Sequence, residues 1–326
     1  MRSTGMRRLT AAIFAMALGS AAQAAFPEGP VKLVVPYAAG GGTDGVARAL
    51  AAVMTQELGQ PVIVENRTGA GAIVGTQSVL GAPADGYTML IATNGNMVLT
   101  PLLHKALKYD ARKDFRVLSV MVEAPSVAVV GPAVPATSLR EFEAFVKSKP
   151  VGSVMYANLG QGNVLNIATK VMESMMGVQM TGVSYKGSSP SLTALIAGEV
   201  QLYVDLASTS LPMIRSGRIK ALAVPNNKRL EALPEVPTFA EAGYAPFHAV
   251  SWLGVAVTRG VPEDRARMLQ AAVRKAVADP KFRETARTLG MVLLPDMDET
   301  AVSNYLASDW SLWEGLAKRY DIRIDP

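Results

Sequence analysis

The stretch Val31–Arg48, VKLVVPYAAGGGTDGVAR, constrains this chain more than any other. Its apolar run Val31, Leu33, Val34 and Val35 predicts a strand that Pro36 ends. Gly40, Gly41 and Gly42 then precede a helical pattern beginning near Thr43 or Asp44. Consecutive glycines let a backbone turn sharply and approach a ligand with no Cβ in the way. They also leave the first amide N–H groups of the helix free, where the helix dipole favours a negative group. The expectation is an anion site at a strand–loop–helix junction.

The same residues support a rival reading. Gly40, Gly42 and Gly45 match G-x-G-x-x-G, and Glu65 ends the next predicted strand, Pro61–Glu65, 20 residues beyond Gly45. That spacing is the fingerprint of a dinucleotide site, so an exported NAD-dependent oxidoreductase is the alternative. Against it, Pro36, Tyr37, Ala38 and Ala39 separate the strand from the first glycine. A dinucleotide turn leaves its strand directly.

Residues 1–24 read as a secretory leader. Arg2, Arg7 and Arg8 form a basic n-region, Leu9–Gly19 a short apolar core, and Ala22-Gln23-Ala24 a small-residue cleavage site before Ala25. The expected location is the periplasm. The whole chain carries 32 basic and 27 acidic residues, a net charge of +5. Losing the three leader arginines reduces that to +2, which removes any argument for nucleic acid or a membrane surface. Zero cysteines exclude disulfides, thiolate catalysis and cysteine metal sites.

A chain of this length exceeds what one core usually serves, so two lobes are expected. Strands and helices alternate throughout, which argues an α/β class with mainly parallel sheets flanked by helices. No low-complexity linker occurs, so the lobes should be joined by strands near Val127–Val130 and Ala249–Leu253. Residues 25–127 and 250–326 would form lobe 1, and residues 128–249 lobe 2. Ser138-Leu139-Arg140-Glu141 and Thr238–Glu241 both have capping-box spacing. Asn158–Asn163, NLGQGN, is a second glycine-rich loop before a helix, and Trp310 and Trp313 read as core packing on the last helix.

Six blocks recur in series: VKLVVPYAAGGGTDGVAR, PVIVENRTGAGAIVGT, APADGYTMLIAT, VSYKGSSPSL, SGRIKALAV and LPEVPTFAEAG. Together they resemble the Bug, or TctC-like, family of solute receptors for tripartite tricarboxylate transporters. The resemblance implies a two-lobed, Venus-flytrap periplasmic binding protein with two crossover strands, closing on a small carboxylate. It implies integral membrane transporter subunits as partners, no cofactor, no metal and no catalysis; a monomer is expected. The second glycine loop departs from the family's usual A-S-x-G-x-G-S, and Asn166 stands where a histidine is usual. Asparagine keeps donor and acceptor capacity but loses the titratable charge.

The candidate ligand residues are Tyr37, Gly41, Gly42, Thr43, Asp44 and Asn94 in lobe 1. In lobe 2 they are Gly160, Gly162, Asn163, Asn166, Tyr185 and Asp205. Backbone amides of the two glycine loops can hold a carboxylate without an ion pair. Asp205 would repel a bound anion unless the ligand also offers a hydroxyl or ammonium, or unless Asp205 only supports a neighbouring loop. The two histidines, His104 and His248, form no catalytic pattern; G-x-S-x-G, H-E-x-x-H and the phosphate-loop motif are absent. A ligand-sensing adaptor for a signalling partner is the third class, inseparable from transport on sequence alone.

Overall fold

The computed structural model describes residues 26–104, 107–159 and 163–319. The leader with its cleavage site before Ala25, and the loop glycines Gly160 and Gly162, lie outside the described residues. The first half runs β1 (Val31–Val35), α1 (Gly42–Leu58), β2 (Val62–Asn66), α2 (Ile73–Leu80), β3 (Thr88–Thr93), α3 (Thr100–Leu103), α4 (Ala111–Asp114) and β4 (Phe115–Ala124). After Pro125 come β5 (Ser126–Val130), α5 (Leu139–Lys147), β6 (Met155–Asn158), α6 (Val164–Met176), β7 (Thr181–Ser184), α7 (Ser188–Ala197), β8 (Leu202–Leu206), α8 (Ala207–Arg215) and β9 (Lys220–Ala223). The chain closes with β10 (Ser251–Thr258), α9 (Glu263–Ala278), α10 (Pro280–Thr288), β11 (Val292–Leu293) and α11 (Glu299–Arg319).

These strands form two sheets, ordered β11-β4-β10-β3-β1-β2 and β7-β6-β8-β5-β9. Most strands of each sheet share one direction, as the sequence indicates, and each sheet is mixed because strands of opposite direction join it. β1 is parallel to β2 and β3, while β10 runs antiparallel to β3 and β4. In the second sheet β6 is parallel to β7 and β8, while β5 is antiparallel to β8 and β9. The reason is topological. β5 and β10 each enter their sheet from the other one, so each starts at the face where its neighbours end and runs antiparallel to them.

Both sheets are covered, as the burial of β1 and β5 illustrates. Val31, Leu33, Val34, Val35 and all of Val127–Val130 are buried, because helices take both faces and alternation is lost. α1 buries Val46, Ala47, Leu50, Ala51, Val53 and Met54, then stops at Gly59, whose φ of 66° suits glycine. At the start of α5 the Ser138 hydroxyl accepts from the Glu141 amide at 3.2 Å, and Glu141 reaches one residue further back, to the Thr137 amide at 2.7 Å. The Thr238–Glu241 box forms its reciprocal bonds, at 2.8 and 3.1 Å, around a single turn rather than a helix.

The last helix binds the joint between the sheets. Trp313 is buried, and Trp310 is half-buried with the Arg112 guanidinium 4.2 Å above its ring. Asp309 accepts from the indole of Trp252 on β10 at 2.7 Å and from that of Trp313 at 2.9 Å. Tyr305 donates to Glu123, near the end of β4, at 2.9 Å. α11 therefore clamps both connecting strands beside the places where they cross.

Candidate functional site

Strand direction locates the site before any side chain is considered. β1, β3, β6, β7 and β8 all end at the face from which β5 and β10 start, so the loops after them gather between the two sheets. Ligands of open α/β sheets bind outside the carboxyl ends of strands. The two halves touch there: a Cβ on Gly290 would lie 2.5 Å from Cβ of Ser208, in the first turn of α8.

In the first sheet, the loop Tyr37–Gly41 leads into α1, which starts at Gly42, slightly earlier than its sequence pattern suggests. Gly40 has φ of 80°, a left-handed conformation in which a side chain would be strained. Gly41 is the N-cap, and no side chain caps the helix, so none competes with an anion for the first-turn amides at Gly42 and Thr43.

Asp44, a candidate ligand residue, braces this loop. One carboxylate oxygen accepts from the Gly40 amide and from Arg48 Nε, both at 2.9 Å, and the other from Asn66 Nδ2 at 2.9 Å. Burial opposes its charge, yet the bonds from Arg48, Gly40 and Asn66 prevail and hold its carboxyl below the usual range.

The residues of the dinucleotide fingerprint have other work here. Glu65 is paired with Lys32 at 3.1 Å and Arg67 at 2.8 Å. A Cβ on Gly45 would sit 2.8 Å from Leu289, so this glycine admits the α10–β11 connection against α1.

After β3, a π-helical turn spans Gly95–Leu99. Asn94 is buried, and its amide donates to the Val250 carbonyl at 2.7 Å, which ties the end of β3 to the returning crossover. Half-buried Tyr37 shares a 2.7 Å bond with the Thr93 hydroxyl; burial pushes the phenol pKa up, against that bond. Sequence reasoning missed Thr93 and Asn96. Asn96 Oδ1 accepts from the Thr93 amide at 2.7 Å, and its side-chain NH2 donates to the Thr76 hydroxyl and the Ile91 carbonyl, each at 3.2 Å. The only sequence signal is a second asparagine in Asn94-Gly95-Asn96.

In the second sheet, Asn163 is the N-cap of α6, its side chain accepting from the Leu165 amide at 2.9 Å. Asn166, one turn later, accepts a long 3.4 Å bond from the Tyr156 hydroxyl. Tyr185 follows β7 at the interlobe face, but its hydroxyl faces Glu199, beyond the far end of α7. Desolvation, then that carboxylate, raises its pKa.

Asp205 ends up enclosed. It has no exposed surface; Oδ1 accepts from the Ser188 hydroxyl at 2.6 Å, and Oδ2 from those of Thr209 at 2.6 Å and Ser210 at 2.7 Å. Burial raises its pKa, against the three hydroxyl bonds. Ser188, Thr209 and Ser210 were not singled out by sequence. Their one signal is that each lies in a serine–threonine cluster opening a helix right after a strand. No group of three or more potential metal ligands occurs among the described residues.

Comparison with known proteins agrees with this geometry. The model of the tripartite tricarboxylate transporter family receptor matches residues 46–318. The protein BugT of Bordetella pertussis is 31% identical, over 92% of this chain and 91% of its own length. An adipate-bound protein of R. palustris aligns with a TM-score of 0.83 and 31% identity, over 91% of this chain and 99% of that one. MatC from Rhodopseudomonas palustris, with bound malate, aligns at 0.81 and 31% identity, over 89% and 99%.

Proposed function

Because this chain belongs to the family of tripartite tricarboxylate transporter receptors, we propose that it captures a small carboxylate between its two sheets and hands it to integral membrane subunits. The observation that carries this is the convergence of β1, β3, β6, β7 and β8 on one interlobe face, with the uncapped start of α1 among them. Amides at Gly41, Gly42 and Thr43 would take one carboxylate, supported by Tyr37 and by the Asn94 turn. Asn163 and Asn166 would line the opposite wall. Each bond to a charged group contributes about 1.5–3 kcal/mol, so a few suffice for a micromolar site.

The lobes divide at the two crossings, Pro125 and Val250, which serve as the hinge. The protein works as a monomeric binding protein without catalysis. It is exported by its leader, cut before Ala25, and acts in the periplasm, where its malate- and adipate-bound relatives set the ligand class to try first. A thermal-shift screen of the mature chain against mono- and dicarboxylates tests the reading. A ligand at 100 times its dissociation constant should add about 2.7 kcal/mol of stability. Stabilisation by NAD(H), with none from any carboxylate, would restore the oxidoreductase reading.

A further inference from the structure

The buried carboxylate of Asp205 has a consequence for what the second lobe can recognise. A carboxylate only accepts hydrogen bonds, and a hydroxyl has one hydrogen to give. Ser188 gives its hydrogen to Asp205 Oδ1 at 2.6 Å, and its oxygen also lies 3.3 Å from the buried Tyr203 hydroxyl, which can donate to one of its lone pairs and leaves the other. Thr209 has two partners within reach, Asp205 Oδ2 at 2.6 Å and the Leu206 carbonyl at 2.9 Å. Both are acceptors, so the Thr209 hydrogen points inward whichever it chooses. Ser210, fully buried, gives its hydrogen to Oδ2 as well.

Ser188 is half-buried and Thr209 exposed, and both begin helices at the interlobe face. What their hydroxyls present outward is therefore lone pairs. An ordinary serine or threonine at a binding surface rotates to donate or accept as the ligand requires; these two have lost that choice. A ligand carboxylate set against them would meet oxygen facing oxygen. A ligand alcohol would donate to them.

We propose that Asp205 is a positioning residue that turns Ser188 and Thr209 into obligate acceptors, so that the receptor selects a hydroxylated carboxylic acid over its plain counterpart. This rests on the carboxylate-receptor reading above. Asp205 itself, with no exposed surface, does not touch the ligand. An amino acid's ammonium would face neutral oxygens rather than the charge itself, so the alcohol is the better match.

Calorimetry on the mature chain with pairs differing by one hydroxyl tests this: succinate and malate, glutarate and 2-hydroxyglutarate, adipate and 2-hydroxyadipate. The hydroxylated member of the pair that fits should bind about tenfold more tightly, as expected for one well-made hydrogen bond. In Asp205→Asn the amide can donate into the cage and release a hydroxyl to turn outward, so the ratio should fall towards one; a merely structural loss would weaken both members alike. Should that variant fail to fold, Ser188→Ala and Thr209→Val each remove one outward oxygen at the surface. Each should weaken the hydroxy acid and leave the plain acid within about twofold.

Equal affinities within every pair that binds would overturn the inference and leave the receptor reading intact. So would a preference that survives all of these substitutions, or aspartate binding more tightly than malate. Binding of none of these acids, with no thermal shift from any other carboxylate, would overturn the receptor reading itself.

Discussion

The clamp of α11 on the crossing strands makes stability depend on pH in a direction opposite to most carboxylates. Asp309 sits between the indoles of Trp252 and Trp313. Its pKa is raised to about 6 from 3.8, chiefly by burial; the two indole donors oppose the rise and the Glu123 carboxylate adds to it. A group whose folded pKa lies above its unfolded value binds its proton more tightly when folded. Its stabilising contribution is complete below about 3.8 and is lost as pH climbs through about 6. A rise of roughly two units corresponds to about 3 kcal/mol at about 1.36 kcal/mol per unit.

The perturbation is Asp309→Asn, which cannot ionise, and the assay is urea unfolding of both proteins at half-unit steps from pH 4 to 8. The variant loses one indole acceptor, a pH-independent cost of about 1–3 kcal/mol. Wild-type stability minus variant stability should therefore decline by about 2.5 kcal/mol across the range, most steeply near pH 5. Other carboxylates titrate in both proteins and cancel in the difference. Parallel curves, separated by a constant, would show that Asp309 is solvated and that the clamp carries no buried charge.

Two further outcomes follow from the packing and the proposed hinge. Gly75→Ala would place a Cβ 2.5 Å from the Arg67 carbonyl and 2.8 Å from Pro36; because Arg67 offers a backbone atom that cannot swing aside, thermal unfolding should show destabilisation at or above the about 1–3 kcal/mol typical of overpacking. Closure of the lobes on ligand should make the molecule more compact in small-angle scattering at saturation, and an unchanged profile would remove the flytrap motion while leaving a binding protein.

Much of the architecture was legible because it depends on local signals. A run of valines ended by proline, three glycines and a helical period specify a strand, a turn and a helix through φ/ψ preferences and burial of a stripe, all within Val31–Leu58. The alternation of such units implied two lobes, and the absence of a linker implied crossing strands. The six blocks in series led to the family that the comparisons then established. Sheet polarity was not legible, because β5 and β10 look like any other apolar strand. Only their entry from the opposite sheet reverses them.

The surroundings of the charged candidates depend on tertiary structure. Asp44 could be read as part of an anion loop, yet it accepts from Asn66, 22 residues away on β2, as well as from Arg48. Asp309 became tied to β10 through Trp252, 57 residues distant. Asp205 was visible as an acidic residue at a strand end, but whether it met the ligand depended on the hydroxyls packed around it. A carboxylate's function is set by which donors satisfy it within about 3 Å; Arg48, Thr209 and Trp313 are near in sequence, but Asn66, Ser188 and Trp252 reach their carboxylates only on folding.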